Sequence, residues 1–163
     1  MKITAPKQLW QSDASYYFVV GWDWYYLTLA LDDYSRFVLA ATGNRHDGQL
    51  DSDLVEQAVA FTGMRQVQIE DHTKLFSDHG SGYLGRAFEQ YLCMLEIRHI
   101  YCAPHHPRTN GKIERFHETL KARMNLLVYT SPDHLRRTMQ DFIQCYNNHR
   151  YHEAIGMAPA DVY

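Results

Sequence analysis

The sequence has few features of secreted, membrane-spanning or repetitive proteins. Its 163 residues include only three cysteines, an odd number without a C-x-x-C pair, which argues against a disulfide framework and a cysteine-based zinc site. We therefore expect Cys93, Cys102 and Cys145 to be buried thiols of a reducing compartment. No apolar run approaches the roughly 18 residues of a membrane span, and residues 1–6 lack the apolar core of a signal peptide. These absences predict a cytoplasmic protein without a membrane partner.

Linkers, low-complexity tracts and internal repeats are also missing, so we expect one domain over residues 1–163. This length lies within the ~100–200 residues of a typical domain. Apolar residues make up 45% and charged residues 21% of the chain, which is ordinary globular composition and excludes disordered and fibrous classes.

The net charge of −3 hides an uneven distribution of charge along the chain. Residues 1–103 contain 8 Lys and Arg against 13 Asp and Glu, whereas residues 104–150 contain 8 against 4. A basic segment on an acidic body predicts a surface that faces a polyanion, although solvated helix faces have the same composition.

Aromatic and β-branched residues predict five strands. The first three lie at Leu9–Val20, Trp24–Leu31 and Phe37–Thr42, where the short turns between them predict an antiparallel meander. Two shorter strands are predicted at Lys74–Asp78 and Arg98–Ala103.

Four stretches with helical apolar spacing lie between and after the later strands. The first is predicted to begin at Asp51 as N-cap, and the second carries its apolar stripe over Leu84–Leu95. The third follows Asn110 as cap, with a stripe over Ile113–Leu127, and the fourth begins at Ser131. This order predicts an α/β fold with a five-stranded mixed sheet, strands one to three antiparallel, flanked by helices.

Three carboxylates are candidates for chemistry because they lie on separate elements that a central sheet can bring together. Asp13 lies in the first strand, Asp78 ends the fourth strand before a glycine-containing turn, and Glu114 lies in the first turn of a helix. Each also has an ordinary structural explanation, since Asp is common in turns and Glu is favourable at a helix N-terminus.

Several linked motifs resemble the catalytic core of the retroviral-integrase superfamily, and most closely the DDE transposases of bacterial insertion sequences. Asp78 and Glu114 are separated by 35 residues, the spacing typical of the second and third acids of that family. The matching words are WQSD at 10–13, DDYSR at 32–36, SDHGS at 77–81, HPRTNGKIERFH at 106–117, and the C-terminal positions Tyr146, Asn147, Arg150, His152, Ala158 and Pro159.

The resemblance implies a ribonuclease-H-like core that performs polynucleotidyl transfer with two Mg²⁺ or Mn²⁺ ions. Asp13 would bridge both ions, with Asp78 and Glu114 each binding one, and hard carboxylate oxygens suit these metals. Water would first release a 3′-hydroxyl at the end of the element, and that hydroxyl would then attack target DNA. The implied partners are transposon-end and target DNA and further copies of the chain, while recognition of terminal repeats would need a helix-turn-helix region that residues 1–163 do not include.

DNA contacts are expected around Glu114. Lys112, Arg115 and Lys121 flank it on the same helix and are candidates for neutralising phosphates near the scissile bond. Asn110 and Gly111 would present backbone N–H groups to a phosphate at the start of that helix.

Other interpretations stay open at this point. A nuclease of the same fold, acting on RNA–DNA hybrids or junctions, would add a fourth acidic residue or a histidine to the site. A non-catalytic DNA-binding or dimerisation remnant is the alternative from another class. A zinc site among the ten histidines and a nucleophilic Ser77 or Ser81 are disfavoured, because neither finger spacing nor a strained elbow motif is present.

Overall fold

One mixed sheet with helices on both faces accounts for the residues that the computed structural model describes, which are 2–44, 50–66, 72–78, 80, 83–102 and 111–163. The strands are β1 (Leu9–Val19), β2 (Asp23–Asp32), β3 (Val38–Asn44), β4 (Lys74–Ser77) and β5 (Arg98–Tyr101). The helices are α1 (Leu50–Thr62), α2 (Arg86–Met94), α3 (Gly111–Met124), α4 (Pro132–His149) and α5 (Pro159–Val162), with a 3-10 turn at Met64–Gln66.

The sheet has the strand order β3-β2-β1-β4-β5. Strands β1, β2 and β3 pair antiparallel, as the meander predicts, whereas β4 and β5 run parallel to β1 and to each other. The predicted five-stranded mixed sheet is therefore confirmed. Because β1 is central and pairs with β4, the strands that carry Asp13 and lead to Asp78 are neighbours.

Alternation along β1 divides the core between the two faces of the sheet. Tyr17 and Val19 lie in a cluster with the apolar stripes of α3 and α4. Trp10, which is fully buried, belongs to the opposite cluster with α1 and α2. Large apolar side chains at alternate positions thus fix which face each β1 residue occupies, because a slip of one residue would exchange the two sets.

Three details of the predicted helices are wrong. Helix α1 begins at Leu50, so Asp51 lies within its first turn and is not the N-cap. Leu84 precedes α2 and is 54% exposed, so the buried stripe of that helix begins at Phe88. Helix α3 ends at Met124, which leaves Leu127 beyond its stripe and partly exposed.

The N-cap of α4 agrees with prediction. The Ser131 hydroxyl accepts a hydrogen bond from the backbone N–H of His134 at 3.1 Å, and Pro132 occupies the first turn, where its missing N–H costs nothing. Asn110, the predicted cap of α3, lies outside the described residues.

The C-terminal signature packs against the sheet. The Asn147 side chain accepts from the backbone N–H of Val38 at 2.9 Å and donates to its carbonyl at 3.0 Å, so it ties α4 to β3. Tyr146 is buried edge-on against Phe116 of α3.

The cysteines differ from the prediction. Cys93 and Cys145 are exposed because they lie on the solvent-facing sides of α2 and α4, and Cys102 is half-buried. Among the described helices, none combines the length and the apolar character that crossing a membrane requires.

Candidate active site

Asp13 lies in the middle of the sheet, on β1 opposite Leu29 of β2. Its side chain is 23% exposed, and one carboxylate oxygen accepts a hydrogen bond from the backbone N–H of Ala14 at 2.8 Å. Burial raises the pKa of Asp13 from 3.8 to about 6, the Ala14 N–H opposes the shift, and the charges of Asp78 and Glu114 raise the pKa further. The three predicted acids therefore interact electrostatically.

Asp78 follows the last residue of β4. Since Ser12 and Ser77 are paired across the parallel strands β1 and β4, the residues that follow them are brought side by side, Asp13 within β1 and Asp78 just past the end of β4. The Asp78 Oδ1 atom accepts a hydrogen bond from the Gly80 N–H at 2.9 Å. A Cβ at position 80 would lie 3.0 Å from that oxygen, so the close approach favours glycine there.

Glu114 occupies the first turn of α3 and is exposed. The start of this helix is tied to β1, because the buried Gln11 side chain accepts from the Ile113 backbone N–H at 3.2 Å. Gln11 also donates to the Asp33 carboxylate at 2.7 Å. The residue two positions before Asp13 thus orients the helix that carries Glu114.

His117 is a residue of this site that sequence reasoning missed. It is 5% exposed, and its Nε2 atom lies 3.5 Å from the Asp13 carboxylate. Burial, with a smaller effect from the charge of Lys121, lowers the pKa of His117 from 6.5 to about 4, so the imidazole is neutral at neutral pH. An interaction with the Asp13 backbone opposes this lowering of the pKa without reversing it. Its position three residues after Glu114, beside the apolar stripe of α3, was the available signal.

The donor set suits a hard divalent cation, although the described residues contain no group of three His, Cys, Asp or Glu side chains close enough to hold one. A buried carboxylate whose pKa is raised by two neighbouring carboxylates is stabilised by a bound cation, which removes both the desolvation and the repulsion. Asp13, Asp78 and Glu114 offer only oxygen ligands, which favours Mg²⁺ or Mn²⁺.

The residues predicted to contact DNA separate into two groups. Lys121 lies near the acids, since its charge lowers the pKa values of both Asp13 and His117. Lys112 instead forms an ion pair with the buried Asp33 carboxylate at 2.5 Å and donates to the Asp33 carbonyl at 3.1 Å. Gly111 and Arg115 lie with Lys112 on the wall of a separate cleft, and Asn110 lies outside the described residues.

This separate cleft, which we call the basic cleft, has a volume of about 750 Å³. Four basic side chains line it: Arg36, Lys112, Arg115 and Arg150. Glu153 is the only carboxylate among its described lining residues. Within the described ranges, neither Arg115 nor Arg150 takes part in an ion pair. Sequence reasoning did not connect Arg36 or Arg150 with the cations of α3.

Ser77 cannot act as an exposed nucleophile. It is fully buried, so no substrate reaches its hydroxyl, and Ser81 lies outside the described residues. Of the aromatic residues on the β1–β2 hairpin, Tyr25 is buried in the core, whereas Trp22 and Trp24 are each nearly half exposed.

Sequence comparison finds related proteins among the retroviruses. The chain is 28% identical to the Gag-Pro-Pol polyprotein of mouse mammary tumor virus (strain BR6) over 137 residues, which is 80% of this chain and 7% of that polyprotein. It is also 28% identical to the Gag-Pro-Pol polyprotein of squirrel monkey retrovirus over 126 residues, 76% of this chain and 6% of the polyprotein. The chain thus spans less than a tenth of these relatives.

Solved structures show the same fold at low identity. The chain matches the simian T-cell lymphotropic virus intasome in complex with the PP2A regulatory subunit B56 gamma with a TM-score of 0.76 and 19% identity, over 97% of this chain and 54% of that one. It matches the trimeric form of the HTLV-2 integrase catalytic core domain in complex with magnesium with a TM-score of 0.71 and 16% identity, over 97% of both chains. The fold is therefore the ribonuclease-H-like fold of integrase catalytic cores.

Two family models, both described as Integrase core domain, match residues 3–107 and 95–159. Together they include the segments of all three acids and of the C-terminal signature. The resemblance to the integrase superfamily is confirmed, and the two relatives described above are retroviral. The chain belongs to the integrase core domain family.

Proposed function

We propose that this chain is the catalytic core of a DNA transposase of the bacterial insertion-sequence type. It would nick DNA at the ends of an element and join the released 3′-hydroxyl to target DNA. The observation that supports the proposal is the electrostatic interaction of the three acids, in which the negative charges of Asp78 and Glu114 act on the partly buried Asp13. Membership in the integrase core domain family supports polynucleotidyl transfer as the reaction class.

Asp13, Asp78 and Glu114 would hold Mg²⁺ or Mn²⁺, two ions in the active complex. Two divalent cations stabilise the developing negative charge on the attacking and leaving oxygens of a phosphoryl displacement. The HTLV-2 integrase core, which shares the fold, was solved with magnesium. The buried Asp13 must be ionised to serve as a ligand, so we expect activity to rise with pH through the region of its raised pKa.

The other residues of the site would orient these carboxylates and the DNA. Gln11 holds the N-terminal turn of α3 against β1, so it sets the distance between Glu114 and Asp13. His117 fills the space beside Asp13 and excludes water from one side of that carboxylate. Lys121 would pair with a phosphate next to the acids, because its ammonium is already within electrostatic reach of Asp13.

DNA would extend from the acids over the basic regions of α3. Asn110, Gly111 and Arg115 would contact phosphates at and beside the N-terminal turn of this helix, while Lys112 stays paired with Asp33. The names of the neighbouring structures include an intasome and a dimeric and a trimeric core, and we propose that this chain likewise acts as a homodimer or higher oligomer on DNA, in the cytoplasm.

The test is metal-dependent nicking of supercoiled plasmid and joining of a duplex oligonucleotide to it. We expect the native chain to be active with Mn²⁺, and Asp13→Asn and Asp78→Asn to lose activity while keeping the circular dichroism spectrum of the native chain. Full activity of either variant would exclude the assignment of the acids. No nicking and no Mn²⁺ binding by calorimetry with the native chain would favour the non-catalytic remnant.

A ribonuclease-H-like nuclease is the second candidate. The histidine next to the acids favours it, because such nucleases add a histidine or a further acid to their site, and His117 lies 3.5 Å from Asp13. Cleavage of an RNA–DNA hybrid or a four-way junction at a rate above that of duplex nicking would establish this alternative. Strand joining to the plasmid would exclude it.

A further inference from the structure

Three side chains that the proposed chemistry does not use form a hydrogen-bonded relay beneath Asp78. The His99 ring lies between Glu89 and Ser77, with its Nδ1 atom 3.0 Å from the Glu89 carboxylate and its Nε2 atom 2.8 Å from the Ser77 hydroxyl. The His99 side chain is 4% exposed. The relay therefore connects α2, β5 and the last residue of β4, which directly precedes Asp78.

The chemistry of the three groups fixes the direction of the hydrogen bonds. An ionised Glu89 can only accept, so the proton of the neutral imidazole lies on Nδ1 and points to Glu89. The Nε2 atom is then an acceptor, and Ser77 must donate its single hydroxyl proton to it. The Asp78 carbonyl is the other acceptor within reach of that hydroxyl, at 3.0 Å, but a donor bond to it would leave Nε2 unsatisfied.

A second branch leads from the same glutamate to β1. The Tyr101 hydroxyl contacts the Glu89 carboxylate and also lies 3.0 Å from the Tyr83 carbonyl. The buried Tyr83 hydroxyl is 2.7 Å from the hydroxyl of Ser12, the residue before Asp13. Each of the two aspartates is thus preceded by a buried serine whose hydroxyl is held from the α2 side of the sheet.

The distances resemble those of a Ser-His-Glu hydrolase triad, but the burial of Ser77 excludes nucleophilic attack. A position-holding role has a clear physical reason. Strand β4 has only four residues, and Asp78 lies past its end before a glycine. In the described part of this segment, the Cys102 N–H donates to the Ser77 carbonyl at 2.9 Å and the Gly80 N–H donates to the Asp78 carboxylate at 2.9 Å.

We propose that Ser77, His99 and Glu89 are positioning residues that hold Asp78 at the distance from Asp13 that metal binding requires. This inference rests on the proposed function of the acids. Hydrogen bonds behind a ligand-bearing segment commonly change metal affinity or activity by ~10–100-fold when they are removed. The relay then explains why a histidine is buried between a half-exposed carboxylate and a buried serine.

The experiment compares Ser77→Ala, His99→Ala and Glu89→Gln with Tyr91→Phe. The Tyr91 variant is the matched control, because it also removes a side-chain hydrogen bond from α2, between Tyr91 and Glu56. Tyr91 follows Glu89 by two residues, which is about 200° around the helix. We expect Ser77→Ala and His99→Ala to raise the Mn²⁺ concentration for half-maximal nicking, and the calorimetric Mn²⁺ dissociation constant, ~10–100-fold, with unchanged DNA affinity. Glu89→Gln retains an acceptor for Nδ1–H, so both Mn²⁺ values should stay close to those of the native chain.

Nitrogen NMR of labelled histidine provides a readout that needs neither activity nor metal. We expect the Nδ1–H tautomer for His99 in the native chain, in Tyr91→Phe and in Ser77→Ala, because Glu89 still accepts from Nδ1 in all three. In Ser77→Ala alone the Nε2 resonance should shift, because that atom loses its hydrogen-bond donor. An Nε2–H tautomer in the native chain, or native Mn²⁺ affinity and activity in both alanine variants, would overturn the relay. If an alanine variant does not fold, the tautomer of His99 in the native chain still tests the direction of the relay's hydrogen bonds. A native chain without Mn²⁺ binding would instead contradict the proposed function, and the tautomer would still report on the relay's hydrogen bonds.

Discussion

Helix α3 presents two charged faces with different roles. Glu114, His117 and Lys121 follow one another at i, i+3 and i+7, next to Asp13. Lys112, Arg115 and Thr119 have the same spacing and line the basic cleft. Since two residues advance an α-helix by about 200°, the two sets lie on opposite sides of the apolar stripe that packs on the sheet.

The environment of each face determines what its charges do. On the face next to Asp13, partial burial and like charge hold the carboxylate of that residue at a raised pKa, which a divalent cation would relieve. In the basic cleft, Lys112 is occupied by Asp33, while Arg115 and Arg150 are exposed to solvent. One helix therefore separates a region suited to metal and chemistry from a region suited to phosphate contacts.

The largest expected effect is on catalysis, at the face of α3 formed by Glu114, His117 and Lys121, which we call the acid face. It is tested by comparing two glutamates one turn apart. We expect Glu114→Gln to lower the nicking rate by at least ~10³-fold, about 4 kcal/mol of transition-state stabilisation, because it removes a ligand and a negative charge. Glu118→Gln is the control, since Glu118 is exposed and has no effect on the pKa of Asp13. Single-turnover rates at saturating Mn²⁺ measure both, and equal rates would contradict the difference between the positions.

Ionising the partly buried Asp13 costs folding free energy, so a variant without this charge should be more stable than the native chain in a pH-dependent way. The folded pKa of Asp13, about 6, lies above the unfolded value of 3.8, so ionisation destabilises the fold fully above pH 6 and this effect disappears as the pH falls below 4. Asp13→Asn should therefore raise the free energy of unfolding by up to ~3 kcal/mol at pH 8 without divalent cations. Urea titrations at pH 8 and pH 5 measure the gain, which should shrink at the lower pH.

His117 should affect the pH dependence of stability in the opposite direction, so it serves as a control. Its folded pKa of about 4 lies below the unfolded value of 6.5, so its neutral form stabilises the fold above pH 6.5, and this contribution is lost as the pH falls towards 4. His117→Gln should flatten the acid side of the stability profile and leave the slope between pH 7 and pH 8 unchanged. If Asp13→Asn raises the free energy of unfolding equally at pH 8 and pH 5, the raised pKa of Asp13 is contradicted.

Substitution of Lys112 tests whether its ion pair with Asp33, in the basic cleft, stabilises the fold. Lys112→Met should destabilise the fold by ~2 kcal/mol, because Asp33 would remain buried with its charge unpaired, and the partial exposure of Lys112 limits the effect. The free energy of unfolding in urea measures the loss. Lys112→Met combined with Asp33→Asn should recover most of it, and no recovery would mean that the pair does not set the stability.

The smallest expected effect concerns DNA affinity. Arg115→Gln with Arg150→Gln should weaken binding of a duplex about tenfold and lower the slope of log affinity against log salt by ~2, one unit for each lost phosphate contact. The single-turnover nicking rate at saturating DNA should stay within threefold of the native rate, about 0.6 kcal/mol. Arg137→Gln on the exposed face of α4 is the control, and fluorescence anisotropy provides the measurement. An unchanged slope of log affinity against log salt would mean that Arg115 and Arg150 do not contact DNA phosphates.

Local pattern predicted the strands and helices well and their ends less well. The alternation of β1 and the stripes of α3 and α4 are strong because each puts large apolar residues on one face. Leu84 and Asp51 were misplaced because a periodic residue or a cap type just outside a helix has the same local signature as one within it. The exposure of Cys93 and Cys145 likewise depends on which side of each helix meets solvent.

The sequence by itself determined the family, the sheet with its helices, and the three acids as candidates, because these depend on residue type and spacing. Only the tertiary structure showed that His117 lies beside Asp13, that Lys112 is engaged by Asp33, and that Arg36 and Arg150 share a cleft with Arg115. The Ser77–His99–Glu89 relay belongs to the same class. The physical reason is that contacts between residues from 10 to more than 100 positions apart depend on how strands pair and how helices pack on the sheet, and the pattern of a single segment does not specify these partners.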